Sequence, residues 1–189
     1  MSGDSWRHAL GEFRNTQSAL MRAAPYRDTG LVPNPAATAD QIVAAEARLG
    51  HRLPPSYREF LQLHNGWPRF FEGASMLSAS ELGTRSYETL ARAAIEAAES
   101  PLAPEATHPA FRPRPTLIPF AVDAQATTLF AFNSQRRHRD GELEVVAWVS
   151  ELGVSATNFS DFLGLLVRLC QHELEDLRAA DRVPLGRIA

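Results

Sequence analysis

The chain has 189 residues, of which 44% are hydrophobic and 22% charged, proportions that are ordinary for one globular domain. The formal net charge is −3, so the excess of positive charge that is typical of a nucleic-acid-binding domain is missing. All 19 basic residues are arginines. No run of about 18 apolar residues is present, which excludes a hydrophobic membrane-spanning helix. We therefore expect neither nucleic acid nor a membrane as a partner.

The first 20 residues and the single cysteine bear on the cellular compartment. Charged side chains interrupt residues 1–20, whereas a signal peptide needs roughly 7–15 apolar residues in succession. Cys170 has no second cysteine to pair with, so the fold does not depend on an oxidising compartment. These two features predict a cytoplasmic protein.

The first third of the chain predicts three helices. Apolar residues between positions 6 and 21 recur at spacings of three and four, which is typical of an amphipathic helix. Thr38 and Gln41 match a capping box at the start of a second helix, and Gly50 follows its last apolar residue. A third helix begins at the prolines after Leu53, because proline is tolerated in a first turn. The second and third helices predict a helical hairpin.

The middle of the chain has a weaker pattern. Residues 67–71 are aromatic and predict an irregular segment, residues 76–82 a short strand, and residues 87–98 a helix. Residues 101–115 contain five prolines and no apolar period, which predicts a loop or linker.

The last third predicts strands followed by a long helix. Residues 117–122, 127–133 and 143–149 are rich in branched and aromatic side chains, and the last two predict a hairpin with a loop at 134–141. Apolar residues at 162–177 predict the terminal helix. Helices at both ends with strands between them indicate an α+β domain, in which we expect the helices to cover one face of the sheet.

Motifs that would carry catalysis or bind a metal are missing from the sequence. No two histidines lie three to five residues apart, and Cys170 falls on the apolar face of the terminal helix. Neither a nucleophile elbow nor a glycine-rich phosphate loop occurs. We therefore predict a protein that is not an enzyme, with no catalytic residue, no cofactor and no metal.

Two clusters have the composition of interface residues. Trp67, Phe70 and Phe71 surround Arg69, and arginine and large aromatic residues are frequent anchors of protein interfaces. The alternative is that Trp67 and Phe71 turn inward and fill the core. The loop at 134–141 carries three arginines that would suit an acidic partner, or would only keep an exposed turn solvated.

The segment 39–66 resembles the signature of the Smi1/Knr4 (SUKH) family. That signature has a helix that bears a Glu and ends in Leu-Gly, then Leu-Pro, a Tyr, a Phe-Leu pair and Asn-Gly. The matching residues are Ile42, Glu46, Leu49, Gly50, Leu53, Pro54, Tyr57, Phe60, Leu61, Asn65 and Gly66. A strand of the family continues in Leu117-Ile118-Pro119-Phe120, and a terminal helix begins near Phe159 and Phe162. The resemblance covers about residues 36–175.

The resemblance implies an α+β fold with a mixed or antiparallel sheet flanked by helices at both termini. It divides the chain into an N-terminal helix packed on the domain (1–25), the Smi1/Knr4-like domain (36–180) and a flexible tail (181–189). Many bacterial members look like immunity proteins that neutralise a cognate toxin by stoichiometric binding. Others are regulatory adaptors that bind a cellular partner, and this alternative stays open.

We therefore expect a monomer that binds a cognate toxin domain. The signature residues are expected to build the fold, so the partner should contact other positions. The predicted partner-binding residues lie in the two clusters described above: Arg69, Phe70, Glu72, Arg136, Arg137 and Arg139.

Overall fold

The computed structural model describes residues 5–25, 32–98, 117–149 and 152–181. Within them, five helices and six strands follow one another along the chain. They are α1 (Ser5–Ala23), α2 (Ala39–Leu49), α3 (Pro55–Leu63), β1 (Trp67–Phe71), β2 (Ala74–Met76), α4 (Arg85–Ala98), β3 (Leu117–Val122), β4 (Thr128–Arg137), β5 (Leu143–Val149), β6 (Leu152–Ala156) and α5 (Phe159–Asp181).

The six strands form one open sheet in chain order, and every neighbouring pair is antiparallel. Helices flank this sheet at both ends of the chain, which confirms the predicted α+β class. Of the two kinds of sheet that the resemblance allows, mixed or antiparallel, the structure has the antiparallel one.

Local sequence signals account for the start of the helical hairpin. The Thr38 hydroxyl accepts the Gln41 N–H at 3.2 Å, and the Gln41 side chain accepts the Thr38 N–H at 2.8 Å. This confirms the capping box, which satisfies amides that the first turn of α2 leaves unpaired. Gly50 ends α2 with φ +67°, a left-handed conformation that favours glycine.

The larger core lies between one face of the sheet and helices α1, α2, α3 and α5. Phe120, Phe130 and Phe132 alternate inward from β3 and β4, as strand geometry requires. Trp6 and Phe13 of α1 are buried in this same core. Tyr87 and Ala91 of α4 also belong to it, so the sheet and all five described helices contribute to one apolar interior.

A smaller apolar cluster covers the other face of the sheet, where Ala94 of α4 packs among Leu129, Ala131, Val146 and Trp148. The expectation that the helices cover only one face is wrong. Strands β3 and β5 and residues 128–133 of β4 are buried almost throughout, because α4 shields the residues that point away from the larger core.

Four strands differ from the prediction, and one of them, β4, extends to Arg137 beyond the predicted end at residue 133. Residues 67–71 form a strand, although Pro68 and a register shift obscure its alternation. Strand β2 ends at Met76, where the predicted strand begins. A turn starts at Ser78, whose amide and hydroxyl both donate to the Glu81 carboxylate. Strand β6 was not predicted, since its five residues are few and mostly small. The predicted linker and residues 182–189 of the predicted tail lie outside the described residues.

Candidate partner-binding surfaces

The signature aromatic residues belong to the scaffold. Tyr57 and Phe60 of α3 are fully buried and stack with ring centroids 5.7 Å apart. The Tyr57 ring also contacts Phe120 and Phe132 of the sheet at 5.2 and 5.1 Å. Its hydroxyl donates to the Leu77 carbonyl at 3.4 Å, and burial raises the pKa of Tyr57 far above its ordinary value. These residues build the core and are not available to a partner.

The Asn-Gly pair of the signature shapes the entry into β1. The Asn65 side-chain oxygen accepts the Ala79 N–H at 2.7 Å, and the Asn34 amide donates to the Asn65 carbonyl at 2.8 Å. Gly66 has φ +85°, and a Cβ added there would lie 2.7 Å from the Met76 carbonyl oxygen. A side chain at position 66 would therefore push β1 away from β2.

The first predicted surface is the β1–β2 hairpin. Arg69 and Glu72 are exposed, and both have left-handed backbones, with φ +48° and +46°. Glu72 and Gly73 occupy the two central positions of the turn with positive φ, as a type I′ turn requires. The Arg69 N–H donates to the Ser75 hydroxyl at 2.9 Å. The left-handed conformation costs a non-glycine residue such as Arg69 or Glu72 about 1–2 kcal/mol.

The structure corrects the place of Phe70. Its side chain is fully buried and packs on Phe13 and Phe130, with ring centroids 6.3 and 5.5 Å away. Trp67 and Phe71 are buried as well, which agrees with the inward alternative stated for those two. The prediction of Phe70 as a contact residue is wrong, because β1 turns this side chain into the core.

The second predicted surface is the β4–β5 hairpin. Strand β4 extends to Arg137, so Arg136 and Arg137 lie at the end of a strand, whereas the sequence placed them in a loop. Both are exposed, as is Arg139 in the turn. The Arg136 Nε lies 3.6 Å from a Glu144 carboxylate oxygen. All three predicted arginines are therefore accessible at this hairpin.

Contacts with the helical hairpin hold this turn in place. The Arg137 guanidinium donates to the carbonyls of Gly141 at 3.0 Å and Arg52 at 3.2 Å. The Glu142 carboxylate accepts the Ser56 N–H at 2.8 Å and the Ser56 hydroxyl at 2.7 Å. Ser56 lies in the first turn of α3, where a negative charge complements the helix dipole. The arginines are thus displayed on a braced hairpin.

The two predicted surfaces lie at opposite ends of the sheet. Because neighbouring strands are antiparallel and follow chain order, β1 and β4 run in opposite directions. The turn after β1 and the turn after β4 therefore point away from each other. The structure brings Arg69 and Glu72 together at one end, and Arg136, Arg137 and Arg139 at the other.

A groove of about 490 Å³ lies beside the second hairpin, at the outer strand β6. Sequence analysis did not find it, because it depends on β6 and on the surface face of α5. The only sequence signal is that Asp161, Leu165 and Arg168 are spaced by four and three, which places them on one helical face. The groove is lined by Arg136, His138, Glu144, Ser155, Ala156, Thr157, Asp161, Leu165 and Arg168.

The described histidine and cysteine residues away from these surfaces show no sign of a binding site. Among the described residues, no three of His, Cys, Asp and Glu are grouped as metal ligands would be. Cys170 is buried in the apolar face of α5. His64 ends α3, and burial, together with the nearby Arg14, lowers its pKa below the ordinary value.

None of the described helices combines the length and the apolar character that crossing a bilayer requires.

Comparison with known proteins identifies the class of protein that this scaffold represents. The model of the SMI1 / KNR4 family (SUKH-1) matches residues 36–164, from the segment before α2 into α5. The chain therefore belongs to the SMI1 / KNR4 family (SUKH-1). A comparison with curated protein sequences finds no match. Helix α1 and residues 165–181 of α5 lie outside the matched range.

Proposed function

We propose that the protein is a cytoplasmic immunity protein that binds a cognate toxin domain and inhibits it by stoichiometric protein–protein contact. Family membership is the observation that carries this proposal. Many bacterial members of the family look like such inhibitors, and the function needs no catalytic residue or cofactor of its own.

The distribution of the signature residues supports a binding role. The signature side chains Tyr57, Phe60 and Leu61 are fully buried, so the family scaffold leaves the solvent-facing hairpins free to vary in sequence. Arginine suits such positions, because its planar guanidinium can donate two parallel hydrogen bonds to a carboxylate. The exposed arginines on β4 and in the turn after it are placed for this kind of contact.

We assign the toxin contact to the exposed residues of the two hairpins. These are Arg69 and Glu72 at one end of the sheet and Arg136, Arg137 and Arg139 at the other. A standard interface covers about 800 Å² on each partner, which favours one end as the centre of the contact. Charge reversal at each end in separate variants identifies which end that is.

The test is rescue of growth. The C-terminal domain encoded by the gene adjacent to this one is expressed in a naive bacterium, with and without the protein. We expect toxicity in the first case and growth in the second, together with a one-to-one complex of the purified proteins. Toxicity in both cases, with this protein folded, would contradict the immunity role and favour a regulatory adaptor, whose partner a pull-down would then identify.

A further inference from the structure

The groove beside β6 combines an unpaired sheet edge with charged walls. Strand β6 is the last strand of the sheet and pairs only with β5 within the described residues. No described residue pairs with its outer edge, and an additional strand could pair with the main-chain N–H and C=O groups there. Ser155 on this strand is exposed.

The walls of the groove come from two rigid elements. His138 of the β4–β5 hairpin lies 3.0 Å from the Thr157 carbonyl oxygen, which ties the hairpin to the end of β6. On the opposite wall, α5 contributes Leu165 and Arg168. An extended chain laid along β6 would therefore meet an apolar side chain and a guanidinium on the same wall.

The acidic residues of the groove are already engaged. Glu144 accepts the Asn133 amide at 2.9 Å and lies 3.6 Å from Arg136. Asp161 accepts the Asn158 amide at 3.3 Å in the first turn of α5. No described residue pairs with Arg168, so an incoming carboxylate would find a guanidinium with its donors available.

We propose that this groove receives an extended, acidic segment of the protein partner, which adds a strand to β6. The carboxylates of that segment pair with Arg168, and an alternate apolar side chain packs on Leu165. Main-chain bonds would supply affinity, and Arg168 would fix the register. This inference rests on the proposed function only in identifying the partner as the toxin.

A synthetic peptide tests the groove without the toxin. The probe is a capped heptapeptide in which Val and Glu alternate, titrated to millimolar concentration into the isotope-labelled full chain and followed by NMR. We expect saturable shifts at the amides of Ser155 and Thr157 and at the Arg168 side chain. A peptide in which Lys replaces Glu should cause much smaller shifts. Absent shifts, or equal shifts with both peptides, would overturn the proposal.

Charge reversal supplies the matched variants. Arg168→Glu should weaken binding of the Glu peptide at least tenfold, whereas Arg178→Glu, exposed ten residues further along α5, should leave it unchanged. Equal losses of peptide affinity in the two variants would show that the peptide binds through general charge attraction, and would overturn the proposal.

The toxin then separates the two proposals. If wild-type protein rescues growth and Arg168→Glu rescues equally well with unchanged affinity, the immunity role stands and the groove does not receive the toxin. If wild-type protein fails to rescue, the peptide titration still decides whether the groove binds an acidic strand.

Discussion

The two edges of the sheet are built in opposite ways. At the β1 edge, the protein uses its own groups: Gln17 of α1 donates to the Phe70 carbonyl, and Phe13 packs on the rings of Trp67 and Phe70. At the β6 edge, the described residues add no further strand, and a polar groove runs beside Ser155. Within the described residues, one edge is closed by α1 and the core, and the other pairs with no additional strand.

The difference shows which part of the fold can change without loss of stability. An edge strand that a helix contacts is a poorer template for another chain, because the helix engages one of its carbonyls and lies beside it. A short edge strand beside charged walls tolerates substitution and can acquire a partner. We expect stability to depend mainly on the β1 edge, and the addition of a partner strand to occur at the β6 edge.

The largest expected effect is a loss of stability on substitution at the β1 edge, with almost none at the β6 edge. Phe70→Ala removes a fully buried ring between Phe13 and Phe130, and should lower the free energy of unfolding by about 3–5 kcal/mol. Ser155→Ala, on the exposed β6 edge, should change it by less than about 0.5 kcal/mol. Urea unfolding measures both. A mild effect at Phe70 would show that the β1 edge is not part of the cooperative core.

A smaller loss of stability is expected when the hydrogen bond from α1 to the main chain of β1 is removed. Gln17→Leu leaves the Phe70 carbonyl without its donor, and should cost about 1–2 kcal/mol. The cost is moderated because the Gln17 side-chain oxygen is itself buried without a partner in the structure. Asn15→Leu, exposed on the same helix, is the control and should be nearly neutral. Hydrogen exchange at the amides of β1 should become faster in the first variant only.

Sequence reasoning could predict the elements whose signals are local. The capping box at Thr38, the signature turns and the strand at 117–122 all follow from neighbouring residues, and each lies where it was expected. Strand β1 was missed because Pro68 and a register shift hide its alternation. Strand β6 was missed because a strand of small residues is defined by its pairing with β5.

The candidate site was predictable only in part, for the same reason. Arg136, Arg137 and Arg139 are adjacent in sequence and are displayed together, so composition was enough to single them out. Arg168 joins them only because α5 passes beside β6, a long-range arrangement that spacing does not encode. Phe70 is buried and its neighbour Arg69 exposed, because the left-handed Arg69 and a register shift interrupt the regular alternation of β1.

The smallest expected effect concerns backbone strain. Two of the three described non-glycine residues with positive φ, Arg69 and Glu72, lie in the β1–β2 hairpin, and none lies in β6. Glu72→Asn places an Asn-Gly pair in this turn, and should raise the free energy of unfolding by about 0.5 kcal/mol. Glu88→Asn, exposed in the first turn of α4, should instead lower it slightly. Urea midpoints distinguish the two directions.

The same variant decides whether the strain at the β1 edge serves binding. If Glu72→Asn is more stable and still protects against the toxin, the left-handed Glu72 is a tolerated defect at a closed edge. If it is more stable but loses affinity, the hairpin gives up stability to hold Glu72 against the partner, as strained residues at binding sites do. That second outcome would show that the β1 edge serves stability and recognition together, as the assignment of Arg69 and Glu72 to the toxin contact requires.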